Sequence, residues 1–429
     1  MSGYRRKNSS RKSGVRWFTR RKRGSQLGSK LRWTIGLILS IFLGWLTLNG
    51  PTENASHQET DSAASSESSP VATDTTTVAD HSPSSATTNS TTNSTSGTQT
   101  ERTAFTPTVL GRLPESVVQR TRSGTTTIPI RSAEYLNVCS FNIQFLGNSK
   151  KRENASLAEL LSSFDLVLVQ EMIAPPQDGT YPDGTTYQAS ATIANFAQAM
   201  AQQGFTYIYS EEDTGSGPKI HRASSSTEWW IAFYRPDILE PAPDLPGGFL
   251  DSQRAAHPVF QRVPYAFPFR TRDGRLDFVL ISVHLYPEPG PRNRARRKAE
   301  LDAIARIIEL NETSEREFLI AGDMNIQNIS ESYQTIPQGY KSLNASCTPT
   351  NTLGTAPFDH VVLIPDRNPN VDYKTGGIVI NLIEFMRRKW SHPEIAFPGD
   401  PYDHDAFRQY YSDHNPLAWR FRIPANDND

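Results

Sequence analysis

Cysteine is nearly absent: the 429 residues include only Cys139 and Cys347. Two cysteines make no disulfide framework and no cysteine-rich zinc site. Cys139 lies in an apolar strand-like run and reads as a small core residue. Apolar side chains are also scarce. The hydrophobic fraction of 36 % falls below the roughly 45–50 % of globular chains counted with glycine, and the deficit is concentrated in one region. Acidic residues are missing altogether from residues 1–32, which hold twelve Lys or Arg. A net charge of −1 for the whole chain therefore leaves −13 for everything after residue 32. A basic arm and an acidic body need separate explanations.

Residues 33–50, WTIGLILSIFLGWLTLNG, carry no charge and approach the roughly 17–25 residues of a spanning helix. Trp33 and Trp45 lie towards the two ends, where amphipathic rings suit the headgroup region. With the basic arm 1–32 ahead of it, the segment reads as a transmembrane signal anchor. The arm would stay in the cytoplasm and the rest would lie outside it, in the cell envelope or extracellular space. The alternative is secretion after cleavage of a signal peptide, but no clear small-x-small site follows. A nucleic-acid-binding arm would not explain the apolar run beside it. Residues 51–104 are rich in Ser, Thr, Asn and Ala, and cannot bury enough surface to offset the entropy of ordering. They read as a disordered linker, whose Asn-Ser-Thr sequons at Asn89 and Asn93 arise readily from composition.

From 105 to 424 the chain has globular character, with 425–429 as a short tail. YLNVCSFNI (135–143), DLVLVQE (165–171), FTYIYS, WWIAFYR, LDFVLISVH, EFLIAGD, DHVVLI and PLAWRFRI read as strands, rich in β-branched and aromatic residues. ASLAELLSSF, ATIANFAQAMAQQ (191–203) and the run 292–310 read as helices, the last with Leu301, Ile304 and Ile308 on one stripe. This pattern predicts an α/β (α+β) domain of sheets covered by helices.

Polar residues recur where these strands begin or end. Asn142 and Glu171 close the first two strands. Glu228 precedes WWIAFYR, His284 ends LISVH, and Asp323 and Asn325 end FLIAGDMN. Asp359 opens DHVVLI, and Asp413 and His414 open the last strand in SDHNP. Taken singly, each is ordinarily a solvated or turn residue. As a set they supply what phosphodiester hydrolysis needs. Glu171 and Asn142, with Asp413 or Asp323, offer oxygen ligands for a hard cation. An imidazole oriented by a carboxylate handles protons at neutral pH, and His414 with Asp359 and His284 with Glu228 would make two such pairs. Asp323 and Asn325, two residues apart on an extended segment, would point the same way and share one phosphate or water.

The segments SFNIQFLG, VLVQE, SVHL, AGDMN, FDHVVL and SDHNP, in this order, resemble the endonuclease/exonuclease/phosphatase superfamily over about residues 135–422. The resemblance implies a four-layer αββα sandwich, two packed mixed β-sheets flanked by helices. The His after the SVHL-type strand and Glu228 ahead of STEWWIAFYRP are similar to the deoxyribonuclease I branch. FQRVPYAFPF is similar to that branch's Arg-x-Pro strand, which implies Arg262 as a phosphate- or DNA-binding residue. By the same resemblance Asn142, Glu171 and Asp413 belong to the metal site, Asp323 and Asn325 position phosphate and water, and Asp359 orients His414. Glu228, His284, Asp323, Asn325, Asp359 and His414 are thus the expected catalytic set. The family's disulfide near GD-x-N is missing, and Ile173 stands where the pancreatic enzymes place a minor-groove Arg.

The expectation is a membrane-anchored, Mg²⁺-dependent endonuclease acting on DNA, with Mn²⁺ as a substitute and Ca²⁺ as a structural or second ion. It would be a monomer with no protein partner. The alternatives are a lipid phosphodiesterase of the same fold, sphingomyelinase-like, and a non-catalytic surface binding module. The cluster Arg292, Arg294, Arg296, Arg297 and Lys298 reads as a solvated helix face or a backbone contact.

Overall fold

The computed structural model describes residues 124–216, 221, 227–251, 259–312 and 315–427. The basic arm, the apolar segment 33–50 and the linker lie outside them. No helix among the described residues is long and apolar enough to cross a membrane.

The first half of the domain runs β1 (Tyr135–Leu146), α1 (Asn154–Leu161), β2 (Leu166–Met172), a small hairpin of β3 (Gly179–Thr180) and β4 (Thr186–Tyr187), α2 (Ala191–Gln202), β5 (Thr206–Tyr209) and β6 (Trp229–Tyr234). Then come β7 (Leu239–Pro241), β8 (Gly248–Phe249), β9 (Tyr265–Thr271), β10 (Asp277–His284), α3 (Pro291–Asn311), β11 (Phe318–Asp323) and α4 (Ile329–Thr335). The chain closes with β12 (Lys341–Ser342), β13 (Asp359–Leu363), β14 (Ile378–Val379), α5 (Leu382–Arg387), α6 (His404–Tyr410) and β15 (Leu417–Arg422).

One sheet has the order β14-β15-β1-β2-β6-β5, the other β12-β13-β11-β10-β9-β7, with β8 also on β9. Both are mixed. β1–β2 and β10–β11 run parallel, while their outer neighbours are antiparallel. The four-layer αββα sandwich implied by the sequence motifs is the observed architecture.

Strand side chains alternate between faces, and here each face has its own cover. Leu136, Val138, Leu166, Leu168, Trp230 and Trp419 of the first sheet pack on Phe267, Phe278, Leu280, Leu319, Val361 and Leu363 of the second. On the outer face of the first sheet, Cys139, Phe141, Val167 and Val169 meet Leu157, Leu161, Phe196 and Met200 of α1 and α2. On the outer face of the second, Val279, Ile281 and Ile320 meet Leu301, Ile304 and Ile308 of α3. Burial on both faces explains why these strands read as nearly continuous apolar runs. Pro291 opens α3 at its first turn, where a missing N–H costs nothing. α4, α5 and α6 are capped by Asn328, Asn381 and Asp403, each accepting the N–H three residues on.

Trp230, fully buried between the sheets, donates its indole N–H to the Val263 carbonyl at 2.8 Å. Gly322 has φ +143°, and a Cβ there would lie 2.0 Å from the Val283 carbonyl oxygen. The approach of β10 to β11 therefore requires glycine at this position. Both cysteines are free, and Cys139 is fully buried.

Candidate active site

The inward-facing positions change character towards one end of the sandwich. Following Leu136 and Val138 on β1 come Ser140 and Asn142; following Leu166 and Leu168 on β2 comes Gln170; following Phe278 and Leu280 on β10 come Ser282 and His284. Ser140 donates to the Gln170 side chain (3.3 Å), which donates to Ser282 (3.4 Å). This buried polar row divides the apolar core from the charged residues beyond it. His284 on β10 stands opposite Asp323 on β11, and Asp323 stands opposite Asp359 on β13. Three residues distant in sequence are thus set side by side by sheet register alone.

Two imidazoles converge on one carboxylate. His414 Nδ1 lies 2.7 Å from Oδ2 of Asp359, and its Nε2 lies 3.7 Å from Oδ2 of Asp323. His284 Nδ1 lies 3.2 and 3.3 Å from the two oxygens of Glu228, and its Nε2 lies 3.6 Å from the same Asp323 oxygen. In both pairs the carboxylate on Nδ1 fixes the tautomer and leaves Nε2 to face the site. All five side chains are buried. Burial alone would disfavour a charged His414, but Asp359, Asp323 and Asp413 outweigh it and push the imidazole well above its ordinary value. Burial and the nearby Arg262 both disfavour a charged His284, yet Glu228 and Asp323 bring it above the ordinary value too. Glu228 is held below the usual range: burial opposes this, but His284, Arg262 and the Glu171 N–H (2.7 Å) prevail.

Glu171 reaches the site by a backbone irregularity. Strand alternation would turn it towards α1 and α2, on the face of Val167 and Val169. Instead it has φ +64°, in a stretch where the pairing of β2 with both β1 and β6 slips. Such a bulge re-aims a side chain. Its two oxygens accept from Asn142 Nδ2 (3.0 Å) and the Phe145 N–H (2.9 Å). Asn142 Nδ2 also donates to Asp323 (3.1 Å).

Asn325 departs from the expectation of an extended segment. β11 ends at Asp323, and Asn325 has φ +52°. Its N–H donates to Asp323 Oδ1 (2.8 Å) and its Nδ2 to the Leu285 carbonyl (3.1 Å). A tight turn held by Asp323, rather than strand periodicity, keeps the two together. Arg262, expected to bind phosphate or DNA, lies beside the Glu228–His284 pair. It is buried, with Nε 3.4 Å from Glu228 Oε1 and one terminal nitrogen donating to the His284 carbonyl at 3.4 Å. Its guanidinium braces the Glu228–His284 pair. Asp413 precedes β15 and is held by Gln144 Nε2 (2.8 Å) rather than by Asn142 or Glu171.

Among the described residues no group of three or more His, Cys, Asp or Glu side chains is placed to hold an ion by itself. The wider oxygen set nevertheless suits a hard cation. Oδ1 of Asn142 and Oδ1 of Asp413 are buried without a hydrogen-bond partner, leaving neutral and anionic donors of the type such ions take. Charge points the same way. The carboxylates of Glu171, Glu228, Asp323, Asp359 and Asp413 outnumber the cations His284, His414 and Arg262, so the site can accept a positive ion before a phosphate.

Sequence reasoning missed two supporting residues. Ser412 donates to the Asn142 carbonyl (2.7 Å) and accepts from the Gln144 and His414 N–H groups (3.1 and 3.2 Å). It ties the end of β1 to the SDH turn, and its signal was the Ser that opens that motif. Gln144, which holds Asp413, gave no signal beyond its place after Asn142.

Residues 139–414 match the Endonuclease/Exonuclease/phosphatase family, a span that holds every residue of the site. None of the curated proteins matches the sequence. Solved structures with a similar fold include the human nocturnin catalytic domain with bound sulfate, 13 % identical, covering 69 % of this chain and 97 % of that one at a TM-score of 0.43. A mannosyl-6-phosphatase of Bacteroides thetaiotaomicron is 14 % identical, covering 66 % and 98 % at 0.43. D. rerio TDP2 complexed with a single-strand DNA product is 12 % identical, covering 67 % and 99 % at 0.38. With the family match extending over more than half its length, from the middle of β1 to His414, this chain belongs to the Endonuclease/Exonuclease/phosphatase family of hydrolases.

Proposed function

We propose that the chain is a divalent-cation-dependent phosphodiesterase, and within that class an endonuclease that cleaves DNA. Residues 33–50 would hold it in a membrane with the catalytic domain outside the cytoplasm. The observation that carries the chemistry is the pair of carboxylate-braced imidazoles, His284 on Glu228 and His414 on Asp359, whose Nε2 atoms lie 3.6 and 3.7 Å from one oxygen of Asp323.

Hydrolysis forms a bond from water oxygen to phosphorus and breaks the bond to one ester oxygen. One proton must leave the water and one must reach the departing oxygen. Two imidazoles facing one point suit this exchange, one accepting as the other donates. Asp323 stands where both rings aim and orients the water between them. Arg262, by bracing Glu228, keeps the His284 ring from rotating away. Asn142 and Glu171, with Asp413 beside them, would hold the cation, Mg²⁺ or Mn²⁺. That ion supplies charge neutralisation at the phosphoryl oxygens.

The test is nicking of supercoiled plasmid by the full chain in Mg²⁺ and in EDTA, beside His414→Ala. The expected result is nicked circles in Mg²⁺ alone, with the variant slowed by about a hundredfold or more, as for loss of an acid–base group. A chain that leaves plasmid intact in Mg²⁺ is not a DNA endonuclease, and release of headgroup from sphingomyelin liposomes would then move the reading to a lipid phosphodiester.

A further inference from the structure

The basic cluster at the start of α3 is not uniformly a solvated face. Arg292 and Lys298 are exposed, but Arg297 is fully buried. All three of its guanidinium nitrogens are used. Nη1 donates to the carbonyls of Tyr286 (3.0 Å) and Glu288 (2.8 Å), in the segment that follows β10. Nε (2.9 Å) and Nη2 donate to one oxygen of Glu331 in the first turn of α4, in the segment that follows β11. Nearly one turn further along α3, the buried Glu300 accepts the N–H groups of Tyr286 (2.9 Å) and Gln261 (2.7 Å).

The pairing of β10 with β11 ends at His284 and Asp323, and beyond it the two chains need another tie. Tyr286, two residues past His284, has its N–H on Glu300 and its carbonyl on Arg297. Glu288 has φ +71°, a conformation that a non-glycine residue keeps only where its surroundings hold it. On the β11 side the second Glu331 oxygen accepts the Gln327 N–H (3.4 Å), and the Gln327 side chain donates to the Asn325 carbonyl (2.9 Å). Gln261 directly precedes Arg262, the brace of Glu228. The segments that carry Arg262, His284 and Asn325 are thus fastened to two residues of one helix. Stability alone does not call for such a buried ion pair, since apolar side chains of similar volume often serve as well or better. What apolar side chains cannot do is hold several backbone groups in one geometry, as a rigid five-donor fork can.

We propose that Arg297, Glu300 and Glu331 are positioning residues for the hydrolysis, through which α3 sets the spacing of His284, Arg262 and the Asp323–Asn325 turn. The inference rests on the phosphodiesterase reading. Arg297 has no exposed surface, so it acts through these residues and not on the substrate.

Two variants of the full chain test this: Glu331→Gln, which keeps the volume and one acceptor, and Arg297→Met/Glu331→Leu, which replaces the pair by apolar side chains. Hydrolysis of bis(p-nitrophenyl) phosphate in Mg²⁺ is measured beside urea unfolding. The double variant should unfold near the wild-type midpoint while kcat falls by about ten- to a hundredfold, as for a small misplacement of reacting groups, with KM unchanged. Glu331→Gln should show the same split to a smaller degree. Arg306→Ala, exposed further along α3, should leave kcat in place. Wild-type kcat in both variants, a loss carried by KM, or a kcat that falls only in step with the folded fraction in both overturns the positioning role and leaves the phosphodiesterase reading intact. A wild-type chain that does not hydrolyse the diester removes both.

Discussion

Replacing Asp359 by Asn tests the more tightly braced of the two imidazole pairs. The amide keeps the size of the carboxyl, so the pairing of Asp359 with Asp323 across β13 and β11 should survive. What is lost is the charge 2.7 Å from Nδ1 of His414. Removing one partner from a buried ion pair costs roughly 3–5 kcal/mol. If that loss falls on the transition state, at about 1.36 kcal/mol per tenfold, kcat drops between about a hundred- and a few-thousandfold. An amide can also donate to Nδ1, turning the ring into the tautomer with its proton on Nε2, where it can no longer accept one. The assay is steady-state hydrolysis of a chromogenic diester by wild type, Asp359→Asn, His414→Ala and the double variant. Because Asp359 acts through the ring, the double variant should be no slower than His414→Ala alone. Stability has a signed pH dependence. The folded-state value of His414 is raised, so its contribution is fully present below the unfolded value of about 6.5 and is lost as pH rises through the raised value. Urea unfolding should show the gap between wild type and Asp359→Asn widest near about pH 6 and narrower in alkali. A variant with wild-type kcat, or losses that multiply in the double variant, would refute the coupling.

Two further outcomes follow from the same geometry. Glu228→Gln leaves His284 and Arg262 without their shared anion, and should cost about 3–5 kcal/mol in denaturant unfolding near neutrality. The Glu228 value is depressed, so this stabilisation is present above about pH 4.5 and fades as pH falls through the lowered value; an unfolding gap that grows in acid would contradict it. Gly322→Ala drives a Cβ into the Val283 carbonyl and should separate β10 from β11 by enough to misalign His284 and Asp323. Both stability and kcat should fall, and a folded Ala variant with normal turnover would show that the close approach is not needed.

Much of the site was readable because strand periodicity reports on both faces at once. Asn142, His284, Asp323 and Asp359 lie in phase with apolar residues that face the partner sheet, so their positions at strand ends carried real information. Glu171 was found for the wrong local reason. Its place at the end of VLVQE was visible, but the left-handed backbone that turns it into the site depends on slippage against two neighbouring strands. Asn325 failed the extended-segment argument because its conformation follows from a hydrogen bond to Asp323, which no alternation rule encodes. Arg262 was legible as a residue near the site, but not as a buried brace, since its partner Glu228 lies in a separate segment, just ahead of β6. The short helices α4, α5 and α6 carry too few turns to show a periodicity and announce themselves only through Asn and Asp caps. Arg152, whose guanidinium donates to the Gln144 and Arg408 carbonyls, carried no such signal, because its burial depends on α6, more than 250 residues away in sequence.

The opposition of His284, Asp323 and Asp359 on adjacent strands also sets where this protein can vary in length. Deleting one residue inside β11 would send Asp323 to the helix-covered side and bring Met324 into its place, so the strands form a reading frame that tolerates exchange of side chains but no change in number. The connections at the rim are under no such rule. Segments such as the β3–β4 hairpin or the stretch between β1 and α1 can lengthen, shorten or be transplanted while the reacting groups stay in step. Substrate choice and chemistry are thereby separable parts of one scaffold, and insertion scanning should find a sharp border between them at the last residue of each central strand.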